Sequence, residues 1–190
     1  MAVTGYSQTS EEYFNSGKVK FNLKDYNGAI ADYTKAIDMN TNSCDRYYYN
    51  RGVVKCSIQD YTGAITDYNK AIAINPKLIE AYYNRGLVKT LKQSYTEAIL
   101  DFSKAIKINP NDANIYYSRG LAKCYIQDYK GAISDCNLAI EINPKYVGAY
   151  YNRGLSKIKL GQKDSGCMDL RKAENLGSTE VNVLIKKYCH

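Results

Sequence analysis

The stretch Ala81–Pro110, AYYNRGLVKTLKQSYTEAILDFSKAIKINP, carries the pattern that decides the fold. Its first half sets Tyr82, Gly86 and Val88 at helical spacing, and a break follows at Gln93-Ser94. The second half of the preceding stretch, after its own break at Gln59-Asp60, shows the partner helix most plainly. There Tyr61, Ala64, Ile65, Tyr68, Ala71 and Ile72 fall on an i, i+3, i+4, i+7 stripe, one apolar face of a helix. Asn-Pro then closes the unit. The expectation is that Asn caps the next helix and Pro sits in its first turn.

The unit recurs. Ala-Ile-x-Ile-Asn-Pro ends at Pro76, Pro110 and Pro144, 34 residues apart. Gly52, Gly86, Gly120 and Gly154 keep the same step, as do Ala64, Ala98 and Ala132, with Ala29 before them and Gly166 after. Five copies follow, at residues 10–43, 45–78, 79–112, 113–146 and 147–180, with Cys44 as an extra residue between the first two. A helix pair cannot bury its apolar face alone, so copies in phase must stack into one domain spanning residues 1–190. The small pairs Gly86/Ala98 and Gly120/Ala132 predict close approach of the two helices of a copy. The ends depart from the pattern, as end units facing water require: Thr41 replaces Pro in the first copy, and Lys163, Gly166 and Ser178 replace Tyr, Ala and Pro in the last. Residues 179–189, with Val181, Leu184, Ile185 and Tyr188 on one face, predict a closing amphipathic helix.

Composition narrows the function. Of 190 residues, 20 are Tyr, three Phe and none Trp, so the large packing surface carries hydroxyls that must reach water or a partner; thin layers suit it better than one deep core. Apolar runs are too short to span a membrane, and Met1 to Ser10 are polar with no signal-peptide stretch, which reads as cytoplasmic for the sequence as it stands. Residues 145–190 carry nine Lys and Arg against four Asp and Glu, without a basic run. The six Cys form no Cys-x-x-Cys pair and the single His is His190, so no zinc site or other cofactor is expected. The cysteines read as small apolar packers kept reduced. Cys56 and Cys124 fall at one repeat position two copies apart, too far for a bond; Cys167 and Cys189 are the pair to check for one. Catalysis is not expected: there is no internal His, no phosphate loop, and no paired carboxylates outside a repeating Asp row.

With each copy numbered from 1 to 34, the second supplies Tyr48, Gly52, Ala64, Tyr68, Ala71 and Pro76 at positions 4, 8, 20, 24, 27 and 32. This resembles the tetratricopeptide repeat family over nearly the whole chain. The resemblance implies an all-α, right-handed solenoid of about five helix pairs plus a closing helix, working as an adaptor or scaffold that holds a protein or peptide. Departures from the family pattern are regular. Position 7 is Arg51, Arg85, Arg119 and Arg153; position 11 is Lys20, Lys55, Lys89, Lys123 and Lys157; position 23 is Asp32, Asp67, Asp101, Asp135 and Asp169. They predict a structural ladder of ion pairs, within a copy or between copies.

In this family the first helices line a concave groove, chiefly through positions 2, 5, 6, 9, 12 and 13. Position 6 is Asn15, Asn50, Asn84, Ser118 and Asn152; position 5 is Phe14, Tyr49, Tyr83, Tyr117 and Tyr151; position 9 is Lys18, Val53, Leu87, Leu121 and Leu155. An amide can pair with both the C=O and the N–H of a peptide group, so the Asn row would grip an extended chain by its backbone, with Tyr and Leu forming pockets. The alternative is that Asn satisfies nearby backbone and Tyr braces adjacent copies. The two-carboxylate clamp that some family members use for chaperone C-termini is not expected, because Phe14, Lys18, Glu80 and Asn84 stand at its positions and only Asn50 fits. Nucleic acid is not expected either, the inner positions being mainly Tyr, Asn, Leu and Val. The second reading carried forward is a self-assembling scaffold that stacks through its ends or convex face.

Overall fold

The computed structural model describes residues 9–40 and 44–189; the expectations placed on Met1 to Gln8, Thr41 and His190 lie outside them. Eleven helices and no strand occur among the described residues. The chain divides into two units, at residues 1–88 and 89–190. The first unit holds α1 (Ser10–Asn22), α2 (Tyr26–Met39), α3 (Asp45–Ser57), α4 (Tyr61–Ile74) and most of α5 (Ile79–Leu91). The second holds the end of α5, then α6 (Tyr95–Ile108), α7 (Ala113–Tyr125), α8 (Tyr129–Ile142), α9 (Val147–Lys159), α10 (Lys163–Asn175) and α11 (Val181–Tyr188).

Each turn inside a copy is built the same way. Lys24, Gln59, Gln93 and Gln127 take left-handed backbone with φ of 61 to 63°, and in the last copy Gly161 does so without a side chain to strain. The next residue starts the second helix. Asp25, Asp60 and Asp128 each accept a hydrogen bond from the backbone N–H three residues on, at Gly28, Gly63 and Gly131, at 2.9 Å. A Cβ at Gly63 would stand 2.0 Å from Asp60 Oδ2, so this Asp cap and this Gly come as a pair. Where the third copy has Ser94 and Glu97 instead, no side-chain cap forms.

The turns between copies correct one expectation. Asn75, Asn109 and Asn143 close the helix before them instead of capping the one after. Their Oδ1 atoms accept from the N–H of Lys77, Asn111 and Lys145 at 3.0 to 3.1 Å, an Asx turn. Pro follows as the turn's second residue, and it holds the preceding Asn extended.

Apolar residues then pack where the stripe placed them. Ala29, Tyr33 and Ala36 of α2 are sealed against Phe14, Tyr47 and Val54, and Ala64 and Tyr68 of α4 pack with Val88. In the second unit, Ala132, Cys136 and Ala139 of α8 are fully buried. A Cβ added at Gly120 would stand 3.4 Å from the Ala132 carbonyl oxygen, the close approach expected of that small pair. The closing helix α11 plants Val181 against Leu170 and Ala173, with Leu184 and Ile185 beside them.

The ion-pair ladder lies within copies. Arg51 Nε and Nη2 grip both oxygens of Asp67 at 2.9 and 2.7 Å, Arg119 holds Asp135 at 2.9 and 2.6 Å, and Arg153 holds Asp169 at 2.9 and 2.5 Å. Lys55, Lys123 and Lys157 add a second cation to each carboxylate at 2.8 Å. The remaining Arg nitrogen, Nη1, reaches back into the preceding copy: from Arg51 to Thr34, from Arg85 to Asn69, from Arg119 to Ser103 and from Arg153 to Asn137, at 2.6 to 3.0 Å. Arg51, Arg119 and Arg153 therefore each fix the register of their own pair and of the junction before it. The planar fork makes this possible and an ammonium could not substitute. In the first copy Ser16 takes the place of Arg. Burial alone would raise the Asp32 carboxyl, but hydrogen bonds from Lys20 and Ser16 outweigh it and hold it below its ordinary value.

The cysteines split. Cys167 and Cys189 form a disulfide, which ties α10 to the residue after α11. The expectation of six reduced packers is corrected for this pair. Two sulfurs that the copy pattern does not relate are brought together by the closing helix folding back on α10. Cys44, Cys56, Cys124 and Cys136 are not disulfide-bonded. Burial pushes the thiols of Cys56 and Cys124 up, and that of Cys136 to about 12, so none of these is an activated nucleophile.

Candidate peptide-binding site

The first unit fills its own groove positions. Phe14 is buried beneath the Arg46 guanidinium, 4.8 Å from the ring centre, and Arg46 is held in place by Glu11. The Asn50 amide donates to the Arg46 carbonyl one turn earlier at 2.7 Å. The Asn84 amide donates to the Tyr49 hydroxyl at 3.0 Å, and the Tyr49 ring lies 6.0 Å from that of Tyr68. Burial pushes the Tyr49 phenol up, the Glu80 charge adds to this, and Asn84 opposes it. Tyr83 and Leu87 are half-buried on α5, and Asn15 is exposed on α1. The amides of Asn50 and Asn84 are thus taken up inside the unit.

The second unit differs. Tyr117 and Leu121 of α7, Val147, Gly148, Tyr151 and Asn152 of α9, and the turn from Leu176 to Glu180 enclose a pocket of about 540 Å³. Four of the residues singled out by the pattern meet here: Tyr117, Leu121, Tyr151 and Asn152. Asn152 is only 5% exposed, and its Nδ2 makes no hydrogen bond among the described residues. Burial pushes the Tyr117 phenol up and the nearby Cys136 adds to this; Asn152 is close enough to oppose the shift, though Nδ2 makes no well-formed bond to the hydroxyl. Among the described residues Glu180 is the one charged residue lining the pocket.

Besides Val147, at position 1, two contributors escaped the sequence reading. Position 2 is Glu11, Arg46, Glu80 and Asn114 in the first four copies and Gly148 in the fifth. A Cβ on Gly148 would come within 2.9 Å of the Tyr117 ring, so the ring leans on bare backbone where Arg46 would stand in the second copy. The turn from Leu176 to Glu180 replaces the Asn-Pro turn and supplies the far wall. The signal for the first was a missing side chain in an otherwise polar row.

These stacked helix pairs, with a ladder inside each copy and open first-helix positions, define a helical-repeat protein. Sequence models described as TPR repeat match residues 54–93 and 88–124, and models described as tetratricopeptide repeat match 13–43, 113–146 and 147–176. The chain belongs to the tetratricopeptide repeat family and is a protein-interaction module. Among curated proteins, none matches it. Among solved structures it is similar to MamA, residues 41 to the end, from Desulfovibrio magneticus RS-1, at TM-score 0.83 and 19% identity, covering 90% of this chain and 96% of that one. A second MamA structure gives TM-score 0.82 at 25% identity, covering 95% and 96%. YrrB, described as a TPR protein with an unusual peptide-binding site, gives 0.83 at 21%, covering 94% and 92%. No described helix is long and apolar enough to cross a membrane.

Proposed function

We propose that the chain binds an extended peptide segment of a partner protein on the face of its first helices, with the pocket around Asn152 as the principal contact. The observation that carries this is the unpaired amide of Asn152 at the wall of an open pocket of about 540 Å³. A buried donor without an acceptor costs about 1–3 kcal/mol, which an incoming carbonyl recovers. Nδ2 is closed to solvent, so pairing with a peptide carbonyl requires a side chain of the wall to move aside. The volume lies within the roughly 300–1,000 Å³ of sites that enclose small ligands, enough for a short stretch of extended chain. That YrrB, of similar fold, is described as having a peptide-binding site supports the same reading.

An array of random dodecapeptides probed with the full chain tests it. Wild type is expected to be held by a subset of spots, Asn152→Leu to lose them, and Asn50→Ala/Asn84→Ala to keep them. No capture by wild type would contradict peptide binding; capture lost only in the Asn50/Asn84 double variant would move the site to the first unit.

A further inference from the structure

The chemistry of this pocket points to one kind of peptide. The inference rests on the peptide-binding reading and deepens it: we infer that the pocket selects an internal peptide segment by a single neutral aliphatic side chain, and rejects a carboxylate.

The walls divide into two kinds. The aliphatic side chains of Leu121, Val147 and Leu176 and the rings of Tyr117 and Tyr151 make up the apolar part of the lining; Asn152, Ser178, Thr179 and Glu180 make up the polar part. An aliphatic side chain leaves water on entering such a lining, whereas a charged one loses hydration without a partner. Among the described residues no Lys or Arg lines the pocket, and the one charged residue that does, Glu180, is negative. A chain-terminal carboxylate or an Asp or Glu side chain would meet this carboxylate with no cation to offset it. The nearest cations on α9, Arg153 and Lys157, are already committed to Asp169 at 2.5 and 2.8 Å. The amide of Asn152 adds one neutral hydrogen-bond donor, which suits the carbonyl of an internal peptide group.

Gly148 distinguishes this site from its equivalent in the first unit. In the second copy the same position holds Arg46, which lies over the aromatic ring of the copy before it and closes the site. In the fifth copy Gly148 projects nothing, and the Tyr117 ring rests on its backbone with Tyr146 packed 5.0 Å from it, so the pocket lies beside the ring with no guanidinium among its described lining residues.

The test is selection of a phage-displayed library of linear random decapeptides on the full chain, followed by fluorescence polarisation of the enriched peptides. Selected peptides are expected to share one Leu, Ile, Val or Met with residues on both sides. Changing that residue to Ala should weaken binding at least tenfold, and changing it to Asp should abolish it. Gly148→Arg should lose at least tenfold in affinity while helical circular dichroism stays as in wild type, since Arg stands at this helix position in the second copy. Val147→Asp gives a second variant that charges the apolar lining with the same result. Enriched peptides with no aliphatic consensus, a consensus for acidic or terminal carboxylate groups, or full affinity in both variants would overturn the pocket's selectivity and leave peptide binding standing. Failure to enrich any peptide would overturn both.

Discussion

Phe14, Arg46 and Asn50 in the first unit occupy the same repeat positions as Tyr117, Gly148 and Asn152 in the second. In the first unit the set is closed: the guanidinium covers the ring and the amide donates to its own helix at 2.7 Å. In the second, Nδ2 of Asn152 makes no hydrogen bond among the described residues, and Tyr117 and Asn152 both line a pocket of about 540 Å³. Repeat positions are the same in both, and one ladder rung of each matches, Arg51 on Asp67 and Arg153 on Asp169. The sets differ at position 5, Phe14 against Tyr117, at position 2, Arg46 against Gly148, and in the turn from Leu176 to Glu180 that replaces Asn-Pro. Repetition builds the scaffold, and the departures from repetition build the site.

The contrast can be broken first at the framework that both sets share. Asp135→Ala strands Arg119 and Lys123 around a position only 2% exposed, and should destabilise by about 3–5 kcal/mol, read by chemical denaturation. Asp32→Ala should cost less, because Ser16 stands where the other copies have Arg. Equal losses would mean the guanidinium fork is not what holds the later copies.

Alkali should act on both units, through Tyr33 in the first and Cys136 in the second, each raised to about 12 by burial. A folded-state value above the unfolded one means the unfolded chain releases its proton first, so stability is lost as pH rises from about 9 toward 12. Each such group contributes up to roughly 1.4 kcal/mol per pH unit in that window. A flat denaturation midpoint from pH 9 to 11 would contradict the burial assigned to them.

The disulfide separates the units again. Replacing Cys167 and Cys189 by Ser should cost about 3 kcal/mol, and the loss should be confined to the second unit. Hydrogen exchange should quicken in α10 and α11 and stay unchanged in α1 to α4; a uniform change would show that the bond does not act locally.

Smaller changes sharpen the comparison at the site itself. Gly148→Arg should close the second set and weaken peptide binding at least tenfold, about 1.4 kcal/mol. Arg46→Gly should uncover Phe14 at a helix cost of about 1 kcal/mol, measurable by thermal unfolding. Smaller in kind, though not in size, is the cap: Asp60→Ala should cost about 1 kcal/mol, while Ser94→Ala should cost less because Ser94 makes no side-chain cap.

Much of the scaffold was legible because it repeats. A 34-residue period of Gly, Ala, Tyr and Pro dictates paired helices, and the Arg, Lys and Asp rows at fixed positions dictate a ladder. The direction of the ladder was not legible, since an Arg can reach its own copy or the previous one; its three nitrogens do both. Asn-Pro was misread because Asn accepts hydrogen bonds at either end of a helix, and only the three-residue turn that follows shows which end it serves. The site was half legible. Tyr117, Leu121, Tyr151 and Asn152 followed from position, but whether an amide is free depends on the acceptors beside it, which differ between Asn50, Asn84 and Asn152. Gly148 was missed because a side chain's absence leaves no motif.

The most direct measurement is nitrogen-15 NMR of the full chain titrated with a selected peptide, following the side-chain amides of Asn50, Asn84 and Asn152. The account predicts that the Asn152 amide and the methyl-bearing neighbours Leu121 and Val147 shift in proportion to bound peptide, while the Asn50 and Asn84 amides hold still. Shifts at Asn50 and Asn84 with Asn152 unmoved would contradict it.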